Sequence, residues 1–143
     1  MKKILIIIFF LLLLIGCTSN KEENNKIESD DFMDKVNITI NNKDYILELE
    51  NNQTTRELLN ILPLSITMEE LNGNEKYIYL DNKFTTDSSV PEIINKGDVM
   101  LYGNNCLVIF YKTFTTTYSY TKIGHINNLE DMDNSNIIVT ITK

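Results

Sequence analysis

Beyond residue 35 the chain alternates apolar and polar positions in short runs broken by turn-forming residues. VNITI (residues 36–40) and YILEL (residues 45–49) alternate strictly, with Asn41-Asn42-Lys43-Asp44 between them. Period-two alternation marks half-buried strands. The pair therefore predicts a β-hairpin, with Val36, Ile38 and Ile40 on one face and Tyr45, Leu47 and Leu49 on the inner face of its partner strand. The period then changes. Thr54-Thr55-Arg56-Glu57 has the form of a capping box, and Leu58, Leu59, Ile61 and Leu62 follow it. A short amphipathic helix is predicted, limited by Pro63, that can cover a sheet face or the open end of a barrel.

SITMEEL and EKYIYL then flank Asn72-Gly73, a strong short-range hairpin signal. Residues 82–95, with Pro91 inside them, read as irregular. Gly97-Asp98 precedes VMLY, and Gly103-Asn104-Asn105 precedes CLVIFY. CLVIFY lacks polar alternation, so both of its faces are expected to be covered. Residues 113–117 read as a Thr-rich loop, TKIGHI as a strand, NLEDMD as a short helix or turn, and NIIVTITK as a last strand. Strands at such short spacing, with two helical interruptions, point to a closed or nearly closed β-barrel, because closure removes exposed strand edges.

The N-terminal segment is of a different kind. Lys2 and Lys3 precede an unbroken apolar run over residues 4–15. That run suits a signal-peptide core and is short of the roughly 20 residues a membrane-spanning helix needs. It ends in Leu14-Ile15-Gly16-Cys17, which resembles the lipobox of bacterial lipoproteins. The small Gly16 admits a peptidase, and the Cys17 thiol accepts a lipid thioether. Residues 1–16 are therefore expected to be a lipoprotein signal peptide. Residues 17–35 would form the lipidated cysteine and a polar tether too poor in apolar side chains to fold. Residues 36–143 would form the barrel domain. The mature protein would be extracytoplasmic and anchored to a bacterial membrane through lipid on Cys17.

Loss of Lys2 and Lys3 would move the net charge from −7 to −9. So acidic a chain is repelled by nucleic acid and by anionic surfaces, and nucleic acid is excluded as a partner. With Cys17 acylated, Cys106 has no partner for a disulfide. It reads as a buried small hydrophobe, the alternative being a dyad with His125, the only histidine. One histidine without a second thiol does not make a zinc site. The segment following Glu130 lacks the glycine and glutamate of a calcium loop at Asn136 and Thr142. No metal or other cofactor is expected.

Two features are candidates for chemistry. If Asn72-Gly73 is the whole hairpin loop, Glu70 stands opposite Glu75 and Glu69 opposite Lys76. If the loop is Gly73-Asn74, Glu75 meets Asn72 and the like-charge pair disappears. The second feature is the aromatic set Tyr77, Tyr79, Tyr102, Phe110, Tyr111, Tyr118 and Tyr120. Such rings serve either as core or as the wall of a ligand groove.

TMEELNGNEKY, NKGDVMLYGNNCLVIFYKTF and YSYTKIGHI, in that order, resemble the bacterial cyclophilin-like domain family. The resemblance implies a mainly β fold, an eight-stranded closed barrel with one or two short capping helices, closed at its ends by a helix near residues 55–62 and a turn near residues 129–132. It does not carry over a prolyl isomerase site. The Phe-His-Arg and Gln-Gly-Gly-Asp motifs of true cyclophilins are missing, and Arg56, the only arginine, lies in the expected helix cap. Fold alone does not confer the activity. No catalytic residue is assigned. The favoured expectation is a binding module for a peptide or small molecule, with Glu69, Glu75, Tyr77, Tyr111 and Tyr120 near the groove. The alternatives are an isomerase with a divergent site and a purely structural envelope protein.

Overall fold

The computed structural model describes residues 32–143. The expected signal peptide, Cys17 and the tether as far as residue 31 lie outside the described residues. Residues 32–35, expected to belong to the tether, make contacts with the folded domain. Leu49 donates its backbone N–H to the Asp34 carbonyl (2.7 Å), and the Phe32 ring lies 5.0 Å from the Arg56 guanidinium.

Eight strands close a wholly antiparallel barrel. In chain order, β1 (Lys35–Ile40) and β2 (Lys43–Leu49) lead into helix α1 (Gln53–Asn60), then β3 (Leu64–Leu71) and β4 (Glu75–Tyr79). A two-residue strand β5 (Ile93–Ile94) precedes β6 (Asp98–Tyr102) and β7 (Cys106–Phe110), and a second short strand β8 (Phe114–Thr115) precedes β9 (Tyr120–Ile126) and β10 (Ile137–Thr142). Around the barrel the order is β1-β10-β3-β4-β7-β6-β9-β2, while β5 and β8 pair separately. Closure leaves the barrel strands no free edge.

The first hairpin keeps the expected faces, since Val36 pairs with Leu47 and Ile38 with Tyr45. Its turn is tighter than four residues. Ile40 already faces Lys43, and Asn41 and Asn42 alone turn the chain with φ of 47° and 69°. Asparagine tolerates that left-handed region, and such a turn matches the strand twist. Asn41 also exchanges hydrogen bonds with Ile138, accepting through Oδ1 and donating from its backbone, each at 2.9 Å.

Helix α1 starts earlier than its sequence suggests. Asn52 is the N-cap, accepting from the Thr55 backbone N–H at 2.9 Å. Thr54 is not the cap. It lies inside the helix, buried, and donates to the Thr85 carbonyl at 2.5 Å. Glu57 accepts from the Thr85 N–H and hydroxyl at 2.7 and 2.8 Å instead of closing a capping box. Both residues fasten the helix to the loop after β4, so that Leu58 plugs one barrel end beside Leu80, Phe84 and Leu101. Of the two readings of NLEDMD, helix or turn, the helix does not form. Residues 129–132 run without helix, held by buried Leu129 and by the Lys43–Glu130 and Lys96–Asp131 ion pairs. So short a stretch cannot offset the cost of nucleating a helix.

Inside the barrel, Ile38, Leu47, Met68, Ile109, Ile126 and Val139 are fully buried. β7 is covered on both faces, as its unbroken apolar sequence implies. Leu107 and Ile109 join the interior, while Cys106, Val108 and Phe110 form an outer cluster with Ile94, Met100 and Tyr120. The β5–β8 pair, placed in segments that read as irregular, brings Ile94 and Phe114 onto that outer cluster.

Among the described residues two charged side chains are buried, Lys76 and Asp98. Lys76 has no solvent exposure. Its ammonium donates to the carbonyls of Asp133 (2.6 Å) and Ser135 (2.7 Å) and stands 4.9 Å from the centre of the Tyr111 ring. Glu70, opposite it in the β3–β4 ladder, accepts a hydrogen bond from the Tyr111 hydroxyl at 3.1 Å. Burial pulls the Lys76 pKa below its ordinary value, and the charges of Glu70 and Asp133 oppose that shift. Lys76→Met would leave the two carbonyls it bridges, and the half-buried Glu70 carboxylate across the ladder, without their cation. It is expected to lower unfolding stability by about 3 kcal/mol. Urea denaturation of the two proteins measures this, and a loss below about 1 kcal/mol would mean that the carbonyls find other donors.

Candidate functional site: a tyrosine-walled groove on the outer face

Cross-strand register places the groove. Tyr79 on β4 pairs with Cys106 on β7, Cys106 with Tyr102 on β6, and Tyr102 with Tyr120 on β9. All four point outward in one row. The next row begins with Tyr77, Val108 and Met100. Next along β4 comes Glu75, paired with Phe110 on one side and Leu71 on the other. The β7 side chains Cys106 and Val108 floor a cavity of about 320 Å³, walled by Tyr77, Tyr79, Tyr102, Tyr118 and Tyr120 and bounded by Leu71, Asn72 and Glu75. A neighbouring cavity of about 300 Å³ shares Asn72, Glu75, Tyr118 and Tyr120 with it and extends along residues 114–117.

The rings meet at steep angles. Tyr77 and Tyr79 are 6.1 Å apart at 83°, Tyr102 and Tyr118 6.2 Å apart at 89°. Tyr120 is clasped by Tyr102 (5.7 Å) and by Phe110 (5.5 Å, 88°), which fixes it over the sheet. Tyr79 and Tyr118 remain more than 60% exposed, so the walls stand in solvent while the floor is buried.

Glu75 is the charged group of the groove. Among the described residues no hydrogen bond or ion pair holds its carboxylate. Burial raises its pKa above the ordinary value, and the negative charge of Glu70 raises it further. Its field extends across the floor. Cys106 is pushed from 9.0 to about 11, first by burial, then by Glu75, against a hydrogen bond with Tyr79. Tyr120 is raised by burial and then by Glu75.

Of the residues singled out from sequence, Glu75, Tyr77 and Tyr120 come together here. Glu69 stands beside them, opposite Tyr77, whose hydroxyl donates to it at 3.1 Å. Tyr111 does not belong. It follows outward-facing Phe110 by one position, so it turns into the barrel, 1% exposed, against Lys76 and Glu70. The hairpin follows neither expected register. Its loop has three residues, 72–74, with φ of 58° at Asn72 and 68° at Gly73. Leu71 therefore faces Glu75, Glu70 faces Lys76, and the two glutamates lie on opposite faces of the sheet. The Gly73 N–H donates to Glu70, which secures the loop.

Tyr79, Tyr102 and Tyr118, members of the aromatic set that sequence offers as core or groove wall, complete the walls, while nothing in sequence marks Cys106, Val108 or Asn72 as lining. Cys106 and His125 form no dyad. Their partners on β6, Tyr102 and Asp98, are four positions apart, or about 13 Å at the strand rise. His125 Nδ1 lies 2.9 Å from Asp98 Oδ1.

The sequence profile of the Cyclophilin-like family matches residues 38–142. No curated protein matches the chain. Among solved structures, a hypothetical protein from Archaeoglobus fulgidus is similar, at 17% identity and a TM-score of 0.49, over 76% of this chain and 92% of that one.

The Cys106 thiol gives a direct test of the groove floor. Because its folded pKa is raised, the stability it contributes is complete below pH 9 and is lost as pH rises toward 11. The unfolding free energy of the wild type should therefore fall by about 2–3 kcal/mol relative to Cys106→Ala across that window. Parallel urea titrations at several pH values measure this difference. A constant difference would place the thiol in water.

Proposed function

The chain belongs to the cyclophilin-like family, and from that premise we propose that it is a lipid-anchored, extracytoplasmic binding module that takes a peptide or small ligand in the tyrosine-walled groove. The groove itself carries this reading. Five tyrosines and one carboxylate converge on an apolar floor, the usual composition of a ligand site. A purely structural protein has no need to leave Tyr79, Tyr102 and Tyr118 exposed together. The two adjoining cavities offer length for an extended peptide.

The cationic donor that stabilises the twisted amide in prolyl isomerisation has no counterpart in the groove lining, which contains no lysine, arginine or histidine. Arg56 is on helix α1, where its guanidinium donates to Asn51 Oδ1 at 2.8 Å. Binding without catalysis is the reading this supports. The anchor is proposed from Lys2, Lys3, the apolar run and the Leu-Ile-Gly-Cys box ending at Cys17.

Binding is tested by NMR on the full chain in maltoside micelles, with an Ala-Pro-Phe peptide added. Saturable shifts of Tyr77 and Tyr120, weakened about tenfold in Tyr120→Ala, are expected while cis/trans exchange stays at the uncatalysed rate. Accelerated exchange would replace the binding module with an isomerase. The anchor is tested separately by mass spectrometry of the N-terminal peptide from membranes. A diacylglyceryl mass on Cys17, lost in Cys17→Ser, is expected, and an unmodified Cys17 would remove the lipid anchor.

A further inference from the structure

The geometry points to a positively charged, weakly hydrated ligand group, an alkylated or quaternary ammonium, as what the groove selects. This rests on the groove being the binding site and names the chemistry it takes.

Three observations converge. The first is the walls. Rings at 83° and 89° to one another cannot all stack on one flat ligand. Perpendicular rings suit a compact, rounded group, and a cation is drawn to their electron-rich faces. The hydrogen bond from the Tyr77 hydroxyl to Glu69 enriches that ring further. The second is the dimension. The β4 and β6 walls stand on either side of β7, two strand spacings or about 10 Å apart between backbones. The floor between them is only Cys106 and Val108. The slot is wide enough for a compact substituted ammonium group, alone or at the end of a longer ligand.

The third is the uncompensated charge. Glu75 is partly withdrawn from water with no cation or hydrogen-bond donor on it among the described residues. The nearest lysine in sequence, Lys76, points the other way, its ammonium held by the Asp133 and Ser135 carbonyls inside the barrel. A carboxylate left this way is ready for a cation that brings little hydration to lose. Glu69 beside it adds to the negative potential, and the chain as a whole carries −7. An anionic ligand would meet repulsion from both carboxylates.

The test compares choline with its uncharged isostere 3,3-dimethyl-1-butanol, by NMR titration of the full chain in maltoside micelles. Choline is expected to shift the Tyr77, Tyr102 and Tyr120 resonances saturably, with the isostere about tenfold weaker. Glu75→Gln should weaken choline about tenfold and leave the isostere unchanged, while Tyr102→Phe retains binding and Tyr102→Ala loses it. The spectrum of each variant shows directly whether it is folded. Equal affinity for both probes, or peptide binding without choline binding, would overturn the cation assignment and leave the groove as a ligand site. Choline shifts confined to residues away from the groove would also overturn it. If peptide, choline and isostere all leave the groove unmoved, the binding reading falls as well.

Discussion

The inward phase of Lys76 decides the rest of this face of the barrel. Side chains alternate strictly along a strand, so turning Lys76 into the core puts Glu75, Tyr77 and Tyr79 outside. A slip of one residue would bury Glu75 and expose Ile78. The ammonium resists such a slip because its partners are specific. Two carbonyls and the Tyr111 ring lie within reach only in this register, with Glu70 directly across the ladder. A buried ion together with its partners seldom adds net stability over a wholly apolar set in their place, but it penalises every arrangement that leaves one member unpaired. Its role here is to specify register, and the groove is what that register produces.

β7 supplies the second constraint. With a core on each side, it cannot leave its outer face bare, and the flap of β5 and β8 covers the half containing Phe110. The other half, Cys106 and Val108, is left beneath the tyrosines. The groove is therefore the uncovered portion of a second hydrophobic layer. This explains why its floor is apolar and buried while its walls are wet.

Much of the barrel was legible in sequence. VNITI, YILEL and NIIVTITK alternate cleanly because each has one face to the core and one to water, and CLVIFY does not because it has no face to water. Asn72-Gly73 correctly announced a hairpin, yet the loop length depended on the preference of Glu70 for Lys76 and Tyr111, which no local rule contains. The N-cap was misplaced because Asn52 and Thr54 are both good caps, and only the tertiary bond from Thr54 to Thr85 separates them. The candidate site was half legible. Aromatic abundance pointed to it, but in EKYIYL and FYK both faces hold large side chains, so periodicity could not say which ring faced where. Tyr111 was misassigned for that reason. The two-residue strands β5 and β8 are too short to carry any periodic signal.

The two glutamates on either side of this sheet show how one ladder can serve both stability and function. Glu70, inside, accepts from Gly73 and Tyr111 and faces an ammonium. Glu75, outside, is nearly as confined and has none of these partners. If burial were the only pressure, the outer position would be filled by an apolar residue like its neighbour Leu71, since an unpaired half-buried carboxylate destabilises the fold that holds it. The rule that locally inconsistent groups concentrate at functional sites applies with unusual clarity, because the consistent version of the same residue stands five positions away on the opposite face. What distinguishes them is access. Glu70 has its cation from within the chain, and Glu75 is open to one from outside.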